Sequence, residues 1–443
     1  MDKQSNEIAW DILKKSFDTT VEDEVSKTYE KISKWTNFKN SFIVTRNSIK
    51  FNFISNKSSI NLSSNNNTKL INIFHHKFFS EPENYSNDCQ KLQKLLSKIL
   101  FFCYRKNFPP IKNTKKQSFY TSDSGWGCMI RCGQMILSRA LYKVFKHQHF
   151  TTYDSIYKTL VFFQEIPYKL EELPDDFVPI MNYFLKKSYS IDISKEIIIR
   201  SFVPPFSIKT ICEFGELFDK TAGEWFSDVY LCQIFQMIKD NFNCLNLLNI
   251  IYCQSCINIP EIINKCFTND PKLVKDKSNF MDYKNEKYYF YKMGLLFISV
   301  RLGIDKILSE YYTSIKELFS CHECLGFIGG KHSYAYYFIG FDNQNFFYLD
   351  PHITKECAYN IKEETDLSTY LIKNIHSIPY KDLQTSFTIG FLIRNLNEYN
   401  NLISWMQNYC KSSYPCFGYI NSDVDINNDI NMDYDINIEE DDF

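Results

Sequence analysis

The stretch YTSDSGWGCMIRCGQMILSRALYKVFK, residues 120–146, carries the strongest local pattern of the chain. From Cys128 onward, apolar residues recur at helical spacing over a broad face, which predicts a long and largely buried helix. Gly125 and Gly127 give the backbone freedom just before this helix begins. Asp123 offers a side-chain oxygen for capping its first turn.

Cys128 is the first candidate for chemistry, because it is placed in the first turn of this predicted helix. The positive end of the helix dipole favours a thiolate, and helix N-termini or cationic neighbours lower a thiol pKa to about 3.5–7.5. The alternative is a buried structural cysteine, the usual fate of an unpaired thiol. Cys132, one turn later, is either a resolving thiol for oxidised Cys128 or a packed helix residue.

The second candidate is YLDPH, residues 348–352. Residues two apart in extended backbone point to one face, so Asp350 and His352 project together and the carboxylate can orient the imidazole. Pro351 removes a sheet donor and predicts a strand end or edge. The alternative is an Asp-Pro turn beside an incidental surface histidine. A helix-borne Cys128 followed by a strand-borne His352 is the order of a papain-like thiol hydrolase.

Two Cys-x-x-Cys pairs favour a competing chemistry, that of a zinc site. Cys253 with Cys256 and Cys321 with Cys324 form the pairs, and positions 256 and 321 lie 65 residues apart. Zinc ribbons usually space such pairs by about 15–20 residues. Because the chain has 15 cysteines, chance pairs are frequent, and we expect packed thiols and no metal.

Length and composition narrow the class of protein. The 443 residues are 44% apolar, and 50 basic and 52 acidic side chains leave a net charge of −2, which excludes a generally basic nucleic-acid binder. An odd cysteine count in a long chain does not suit a small disulfide framework. We see neither a signal peptide nor a run of about 18 uncharged apolar residues, and we therefore expect a soluble cytoplasmic protein.

The rest of the chain predicts mixed helices and strands. Residues 7–35 and 304–319 have helical periodicity, and a helix is predicted at 395–410. His75 and His76 have no carboxylate or cysteine partners in sequence and are interpreted as surface residues. Strands are predicted at 40–54, at 294–301 and in the segments CLGFIGG, YAYYFIGF, NFFYLDPHI and SFTIGFLIR.

Residues 120–135 resemble the nucleophile motif of the autophagins, the cysteine proteases that process GABARAP-like ubiquitin-like modifiers of autophagy. The resemblance covers about residues 100–410, with the middle matching only in patches. Further segments resemble the family in order: YRKNFP (104–109), PFSI (205–208), GEWF (223–226), VRLGI (300–304), LGFIGGK (325–331), YFIG (337–340), YLDPH (348–352) and SFTIGF (386–391).

This resemblance implies an α+β fold, a papain-like cysteine protease core with a small inserted auxiliary (short-fingers) domain. Nine acidic residues and no basic ones follow Tyr419, which predicts a disordered tail. The predicted organisation is a flexible or helical segment at 1–39, the core with the nucleophile helix at 40–151, the insertion at 152–290, the core with the Asp-Pro-His strand at 291–412 and the acidic tail at 413–443.

The implied activity is cleavage of the modifier's C-terminal tail just after a glycine, and release of the modifier from phosphatidylethanolamine. The implied partners are the precursor and lipid-conjugated forms of the modifier, with transient membrane-surface association through the lipidated substrate alone. We expect a monomer that needs no cofactor and binds no nucleic acid. The alternative is a non-catalytic modifier-binding protein of the same fold.

Roles carry over from the family position by position. Cys128 is the implied nucleophile, His352 the general base and later acid, and Asp350 the group that orients His352. Tyr104 contributes its phenol to the oxyanion site, where such donors are worth several kcal/mol. Trp225 covers the groove for the tail, and a groove that only glycine can thread explains the specificity, because any Cβ would clash.

The implied gate over the site is the loop that holds His332 and Ser333. His332 stands where the family usually has proline, so this gate is expected to be looser or to titrate near pH 6.5.

Two aromatic-x-x-aliphatic segments match the motif with which the family docks the modifier by strand addition. The first is Trp10 with Leu13, and the second is Phe417 with Ile420. Each segment is alternatively part of a packed helix or loop.

Overall fold

The computed structural model describes residues 52–55, 58–60, 70–79, 84–148, 150–166, 168–169, 201–202, 204–242, 245, 248–274, 277–331, 334–361 and 364–421. Several predictions fall outside these residues. They concern the helix at 7–35, the docking residues Trp10 and Leu13, the gate residues His332 and Ser333, and the tail from residue 422 onward.

Mixed helices and strands form the fold. The helices are α1 (Tyr85–Leu96), α2 (Cys128–His147), α3 (Thr152–Val161), α4 (Ile208–Gly215), α5 (Asp228–Phe242), α6 (Ile259–Cys266), α7 (Tyr311–Glu317), α8 (Glu364–Ser368) and α9 (Leu396–Tyr409). The strands are β1 (Asn52–Ser55), β2 (Ser58–Ile60), β3 (Ile71–Ile73), β4 (His76–Phe78), β5 (Arg105–Asn113), β6 (Ser118–Ser122), β7 (Tyr168–Lys169), β8 (Ser201–Phe202), β9 (Leu248–Gln254), β10 (Cys256–Asn258), β11 (Phe267–Thr268), β12 (Phe280–Tyr283), β13 (Glu286–Phe290), β14 (Met293–Arg301), β15 (Cys324–Lys331), β16 (Tyr334–Phe341), β17 (Asn345–Leu349), β18 (Lys355–Glu356), β19 (Asn374–Pro379), β20 (Ser386–Ile393) and β21 (Gly418–Ile420).

A large mixed sheet is the centre of the molecule. Its order is β2-β1-β19-β17-β16-β15-β20-β14-β9, and the β3–β4 hairpin joins it through β16. β14 pairs antiparallel with β20 and parallel with β9, and its residues from Gly294 to Val300 are buried. Strands covered on both faces read as continuous apolar runs, which is the pattern of MGLLFISVR.

Helix α2 lies against this sheet and begins at Cys128, as the sequence predicts. Sixteen of its twenty residues are buried, and it packs against β15 and β16 as well as α3 and α5. Gly133 permits the close approach of α5, because a Cβ there would lie 2.3 Å from Cδ2 of Leu231. The sheet, α2 and α5 therefore hold the first turn of α2 in a rigid setting.

The strand predictions at 294–301 and in four later segments are confirmed, with one change of boundary. β17 ends at Leu349, and residues 350–354 are irregular, so His352 follows the strand instead of lying in it. The helix predicted at 304–319 is wrong in its first half, since α7 begins only at Tyr311. Ile304 and Leu308 are 82% and 58% exposed there, and Ile307 is the one buried residue among these three positions.

The described parts of the predicted insertion at 152–290 belong largely to the core. Helices α3 and α5 pack against α2, and β9 is a buried strand of the central sheet beside β14. Within the described part of this range, β11, β12 and β13 form a small three-stranded sheet, and β7 and β8 form a two-stranded one. The reason is the apolar sequence LNIIYC of β9, which needs a partner strand and a covered face.

Two findings bear on the class of protein. Within the described residues, all fourteen cysteines that the structure places are free thiols. In the same part of the chain, none of the helices combines the length and apolar character that crossing a membrane requires.

Candidate active site

Three elements bring the candidate catalytic side chains together. Cys128 is the first residue of α2, and Tyr104 immediately precedes β5. Asp350 and His352 stand in the irregular segment between β17 and β18. β18 pairs with the start of β5, so the segment that carries His352 is fastened beside Tyr104. The sequence order Cys, then Asp-x-His, thus becomes one site in space.

The Asp350 carboxylate fixes the ring of His352. Nδ1 of His352 lies 2.5 Å from Oδ1 of Asp350, and the His352 backbone N–H donates to the same oxygen over 3.0 Å. Nε2 is buried and has no hydrogen-bond partner of standard geometry among the described residues. The ring therefore turns Nε2 toward the Cys128 thiol, which interacts with it closely enough to shift the pKa of both groups.

The surroundings of Cys128 favour its thiolate. Burial works to raise the pKa of this thiol, but hydrogen bonds from His352, the Ala335 backbone and Tyr104 outweigh it and leave the pKa below its ordinary value. The side chain is only 7% exposed, so these donors act with little competition from water.

His352 favours its charged form for the complementary reason. Burial alone would lower the pKa of this imidazole, but Asp350 and Cys128 raise it to about 9. Asp350 has its pKa lowered, because the bonds and charge of His352 exceed the opposing effect of burial. Both shifts therefore act in the direction of a Cys128 thiolate paired with a His352 imidazolium, because each charge stabilises the other.

Tyr104 closes the site from a third side. Its backbone N–H donates to Pro351 O over 3.1 Å, and its carbonyl accepts from Lys355 N over 2.9 Å. Its ring meets the His352 ring edge-to-face, with centroids 5.5 Å apart. Burial, and then the Cys128 thiol, raise the pKa of the Tyr104 phenol, so the hydroxyl stays protonated and can donate.

Helix α2 is anchored by a buried charge network that the sequence reasoning missed. Arg131 Nε donates to Asp123 Oδ2, and its Nη1 donates to Glu165 Oε1, each over 2.6 Å. Asp123 also accepts from the Arg105 backbone N–H over 2.6 Å. The signal available in sequence was a charged residue, Arg131, in the first turn of a helix predicted to be largely buried.

The predicted capping role of Asp123 is wrong. No side chain caps α2, whose N-cap residue is Gly127, and the Asp123 carboxylate is engaged by Arg131 instead. The Asp123 carbonyl accepts from Gly127 N over 2.9 Å, which holds the turn before the helix. Asp123 thus helps to fix the position of Cys128 through its carbonyl and its carboxylate, although it does not cap the helix.

Strand β16 supplies a second feature that the sequence reasoning missed. The rings of Tyr334 and Tyr336 lie edge-to-face against the His352 ring, with centroids 4.9 and 5.7 Å away. Ala335, between them, provides the backbone hydrogen bond that favours the Cys128 thiolate. Alternation along YAYYFIGF placed two tyrosines on one face, but nothing in the sequence told which partner that face has.

Trp225 lies on the surface above the start of α2. Its side chain is 54% exposed, and its Nε1 donates to Gly125 O over 2.8 Å. Gly223 shapes the turn before it with a φ of +91°, and a Cβ there would lie 2.3 Å from the Tyr120 ring. An exposed aromatic ring is thereby tethered to the loop that precedes Cys128.

The remaining predicted residues lie away from this cluster or pack within the core. Cys132 is fully buried, and burial followed by the neighbouring Cys128 raises its pKa, as expected of a packed thiol. Phe417 is 3% exposed and packs against Phe391 and Tyr409, while Ile420 pairs with Asn258 in a short sheet. In this conformation the second docking segment follows the alternative interpretation, that of a packed loop.

No metal centre accompanies the site in the described ranges, where no three histidine, cysteine, aspartate or glutamate side chains are grouped to hold an ion. This applies to both Cys-x-x-Cys pairs, none of whose four sulfur atoms forms a disulfide. Burial raises the pKa of each thiol for which a shift is resolved, Cys253, Cys321 and Cys324. Raised thiol pKa values disfavour the thiolates that zinc needs.

Comparison with known proteins places the chain among thiol proteases. Residues 89–405 match the model of the peptidase C54 catalytic domain. The chain is similar to cysteine protease ATG4C of Xenopus laevis, 25% identical over 366 residues that cover 76% of each protein. It is 28% identical to cysteine protease ATG4A of Mus musculus over 328 residues, 71% of this chain and 74% of that one. Against cysteine protease ATG4C of Homo sapiens, it is 23% identical over 446 residues, 91% of this chain and 92% of the other.

Proposed function

The chain belongs to the peptidase C54 family and is a cysteine protease, and from this premise we propose that it processes a ubiquitin-like modifier of autophagy. It cleaves the modifier's C-terminal tail just after a glycine, and it also releases the modifier from phosphatidylethanolamine. The observation that carries the proposal is the triad-like arrangement of Cys128, His352 and Asp350, with the His352 Nδ1 held 2.5 Å from Asp350.

In the first step, the Cys128 thiolate attacks the carbonyl carbon of the bond after the glycine. The new S–C bond pushes the carbonyl electron pair onto oxygen. The Tyr104 hydroxyl donates to this oxyanion together with backbone N–H groups of the first turn of α2, which have no intrahelical acceptor. The Tyr104 hydroxyl remains protonated, and backbone hydrogen bonds to Pro351 and Lys355 hold the residue in place. The hydroxyl can therefore donate to the oxyanion with little movement.

In the second step, the tetrahedral intermediate collapses to a thioester. Nε2 of the His352 imidazolium gives its proton to the leaving amine as the C–N bond breaks. The neutral imidazole then takes a proton from water, whose oxygen attacks the thioester and expels the Cys128 thiolate. The products are a glycine carboxylic acid, which ionises by giving its proton to the released amine, and that amine, and the thiolate–imidazolium pair is restored. Asp350 holds the ring in place throughout.

The same chemistry applies to both forms of the substrate. In the precursor, the leaving amine belongs to the next residue of the tail, and in the lipidated form it belongs to the ethanolamine headgroup. Both are amide bonds to the same glycine carbonyl. Trp225 covers the groove, and its hydrogen bond to Gly125 O holds the loop beside it. A narrow groove explains why the residue before the scissile amide bond is glycine.

The gate residues His332 and Ser333 adjoin Tyr334, whose ring contacts His352. We place them at the entrance to the site, where they control access of the tail. Docking of the modifier through Trp10 and Leu13 remains part of the proposal. Docking through Phe417 and Ile420 would require that segment to leave its packed position.

The partners that follow are the precursor and the phosphatidylethanolamine conjugate of a GABARAP-like modifier. The protein acts as a monomer in the cytoplasm, and it meets membrane surfaces only through its lipidated substrate. The second candidate is a modifier-binding protein without catalysis. The arrangement around Cys128 favours the protease, because a pure binding protein does not need a thiol with a lowered pKa beside an oriented histidine.

The test is cleavage of a GABARAP-like precursor extended beyond its glycine, followed by intact mass measurement of the product. We expect wild type to yield a product ending in glycine and Cys128→Ala to yield none. The cleavage rate of Cys132→Ala should lie within about threefold of the wild-type rate. A second arm uses the modifier conjugated to phosphatidylethanolamine in vesicles. Equal cleavage by wild type and Cys128→Ala would overturn the mechanism. Binding without cleavage by wild type would favour the binding protein.

A further inference from the structure

A group of basic side chains lies at the far end of α2, away from Cys128. It consists of Arg139 and Lys143 on α2, His75 and His76 in the β3–β4 hairpin, and His322 just before β15, and it is called the basic cluster below. Arg139 follows Cys128 by 11 residues, which places it about 16 Å along the helix axis. None of these side chains takes part in the proposed mechanism.

Arg139 is buried, and none of the described carboxylates pairs with it. Its side chain is 4% exposed, and its Nε has no hydrogen-bond partner among the described residues. The guanidinium carbon lies 3.6 Å from the centroid of the Phe74 ring. Arg131, on the same helix, has both Asp123 and Glu165 as partners. A buried cation is costly unless it is paired, so the position of Arg139 points to a missing anion.

His75 likewise has a buried polar atom without a partner, and its ring neighbours are two other histidines. Its ring stacks on His322 with centroids 4.0 Å apart and lies 3.9 Å from His76, and its buried Nδ1 has no partner in the part of the chain that the structure covers. Burial, then His76 and His322, lower the pKa of His75 to about 3. His75 is half-buried, while His76 is exposed as the sequence predicts.

Lys143 completes the group with a second cation on α2. Burial, then the charges of Arg139 and Arg394, lower its pKa to about 7. The two acids nearby are already engaged, since Glu398 binds Arg394 and Glu323 accepts from the Cys321 thiol. His76 and His322 are exposed and Lys143 is half-buried, so the cluster opens to solvent while Arg139 forms its floor.

We propose that the basic cluster binds a small oxyanion of the phosphate class, either free phosphate or a phosphomonoester group. Such an anion accepts from the Arg139 guanidinium, the Lys143 ammonium and His75, and it neutralises the charge that these groups share. A metal ion would instead meet two neighbouring cations and stacked imidazoles, and no metal-type grouping exists within the described residues.

The first experiment measures binding of inorganic phosphate to the full chain by calorimetry, with ionic strength held constant by sodium chloride. We expect one saturable site per chain. Lys143→Ala and His75→Gln weaken binding at least tenfold, because each removes a donor to the anion. Lys146→Ala is the matched control, since this exposed lysine lies three residues further along α2 and donates to Phe150 O. We expect the phosphate affinity of Lys146→Ala to stay within twofold of that of wild type.

A second arm distinguishes free phosphate from a lipid source. Vesicles of phosphatidylcholine, with or without 5% of a phosphatidylinositol monophosphate, are sedimented with wild type, Lys143→Ala and Lys146→Ala. Saturable phosphate binding without selective sedimentation assigns the site to a soluble ligand, whereas sedimentation lost only in Lys143→Ala assigns it to a membrane phosphomonoester.

Three results overturn the proposal: neither probe binds, Lys143→Ala and Lys146→Ala weaken binding equally, or zinc binds through His75 while phosphate does not. All of these measurements are independent of protease activity.

Discussion

Oδ1 of Asp350 accepts both the side chain and the backbone N–H of His352, over 2.5 and 3.0 Å. Two residues apart in one short irregular segment, the carboxylate and the imidazole thus form a single rigid unit. This unit fixes which ring nitrogen faces Cys128, and it supplies the negative charge that raises the pKa of His352 to about 9 against the effect of burial.

The pH profile of the protease follows from this unit. His352 has its pKa raised to about 9, so its proton is lost only as pH rises through that value. Cys128 has its pKa lowered, so its thiolate forms below the ordinary thiol range. We expect a plateau of kcat/KM that ends near pH 9 and has an acid limb below the normal thiol pKa. The acid and alkaline limbs of the kcat/KM profile report the titration of Cys128 and His352 as a coupled pair, because each charge stabilises the other.

Asp350→Asn tests the origin of the alkaline limb. Removing the carboxylate charge lowers the pKa of His352, so the alkaline limb should move to lower pH. Loss of ring orientation should reduce kcat by about 10²–10⁴-fold. The measurement is kcat/KM between pH 5 and 10, with the exposed Asp305→Asn as control. An unchanged alkaline limb in Asp350→Asn would assign that limb to another group.

Several parts of this site could be predicted from the sequence because they depend on local pattern. The apolar periodicity after Cys128 predicts α2, and the alternation in extended backbone predicts that Asp350 and His352 act together. Both features are set by residues close in the chain. The length of the helix at 304–319 was overestimated for the same reason, because periodicity does not reveal whether a surface exists for Ile304 to cover.

The features that were missed depend on contacts between distant residues. Arg131 meets Glu165 across 34 positions, and Ala335 meets Cys128 only because β16 lies against α2. The place of β9 in the central sheet likewise depends on its pairing with β14, which no local signal announces. Charge in a buried helix indicates that a partner exists, but the fold decides which residue it is.

Tyr104→Phe tests the oxyanion donor. The ring and its packing against His352 remain, but the hydroxyl that contacts Cys128 is lost. We expect kcat to fall roughly 10²-fold with little change in KM, because the donor acts on charge that develops during the reaction. The thiol should also become less acidic, which alkylation of Cys128 by iodoacetamide as a function of pH will detect. Tyr359→Phe, at an exposed phenol, is the control, and equal rates for both variants would contradict the role.

Trp225→Ala tests the cover of the groove. Because the indole is 54% exposed, its removal should leave the fold unchanged while kcat/KM for the glycine precursor falls about tenfold. Trp225→Phe separates two effects, since it keeps an aromatic cover and loses the bond to Gly125. We expect Phe to restore most of the activity. Full activity of the alanine variant on the precursor would exclude Trp225 from the groove.

His332→Pro tests the gate. Restoring the residue that the family usually has restricts the loop, so we expect turnover to change without being abolished. If His332 also titrates at the gate, the wild type has an inflection in turnover near pH 6.5 that the proline variant lacks. Complete loss of activity would instead mean that His332 takes part in the chemistry.

Arg131→Met tests the anchor of α2. The substitution leaves Asp123 and Glu165 buried without their cation, and breaking a buried ion pair in this way costs about 3–5 kcal/mol. The midpoint of urea denaturation should therefore fall, and the thiol pKa of Cys128 should shift as the first turn of α2 loses its support.

Arg139→Met is the matched comparison, because that arginine lies on the same helix and its Nε has no partner among the described residues. Its substitution leaves no orphaned acid, and methionine still covers Phe74, so the midpoint should change much less. An equal loss of stability in both variants would show that helix packing matters more than the Asp123–Arg131–Glu165 network, whereas a larger loss in Arg131→Met assigns the stability to that network.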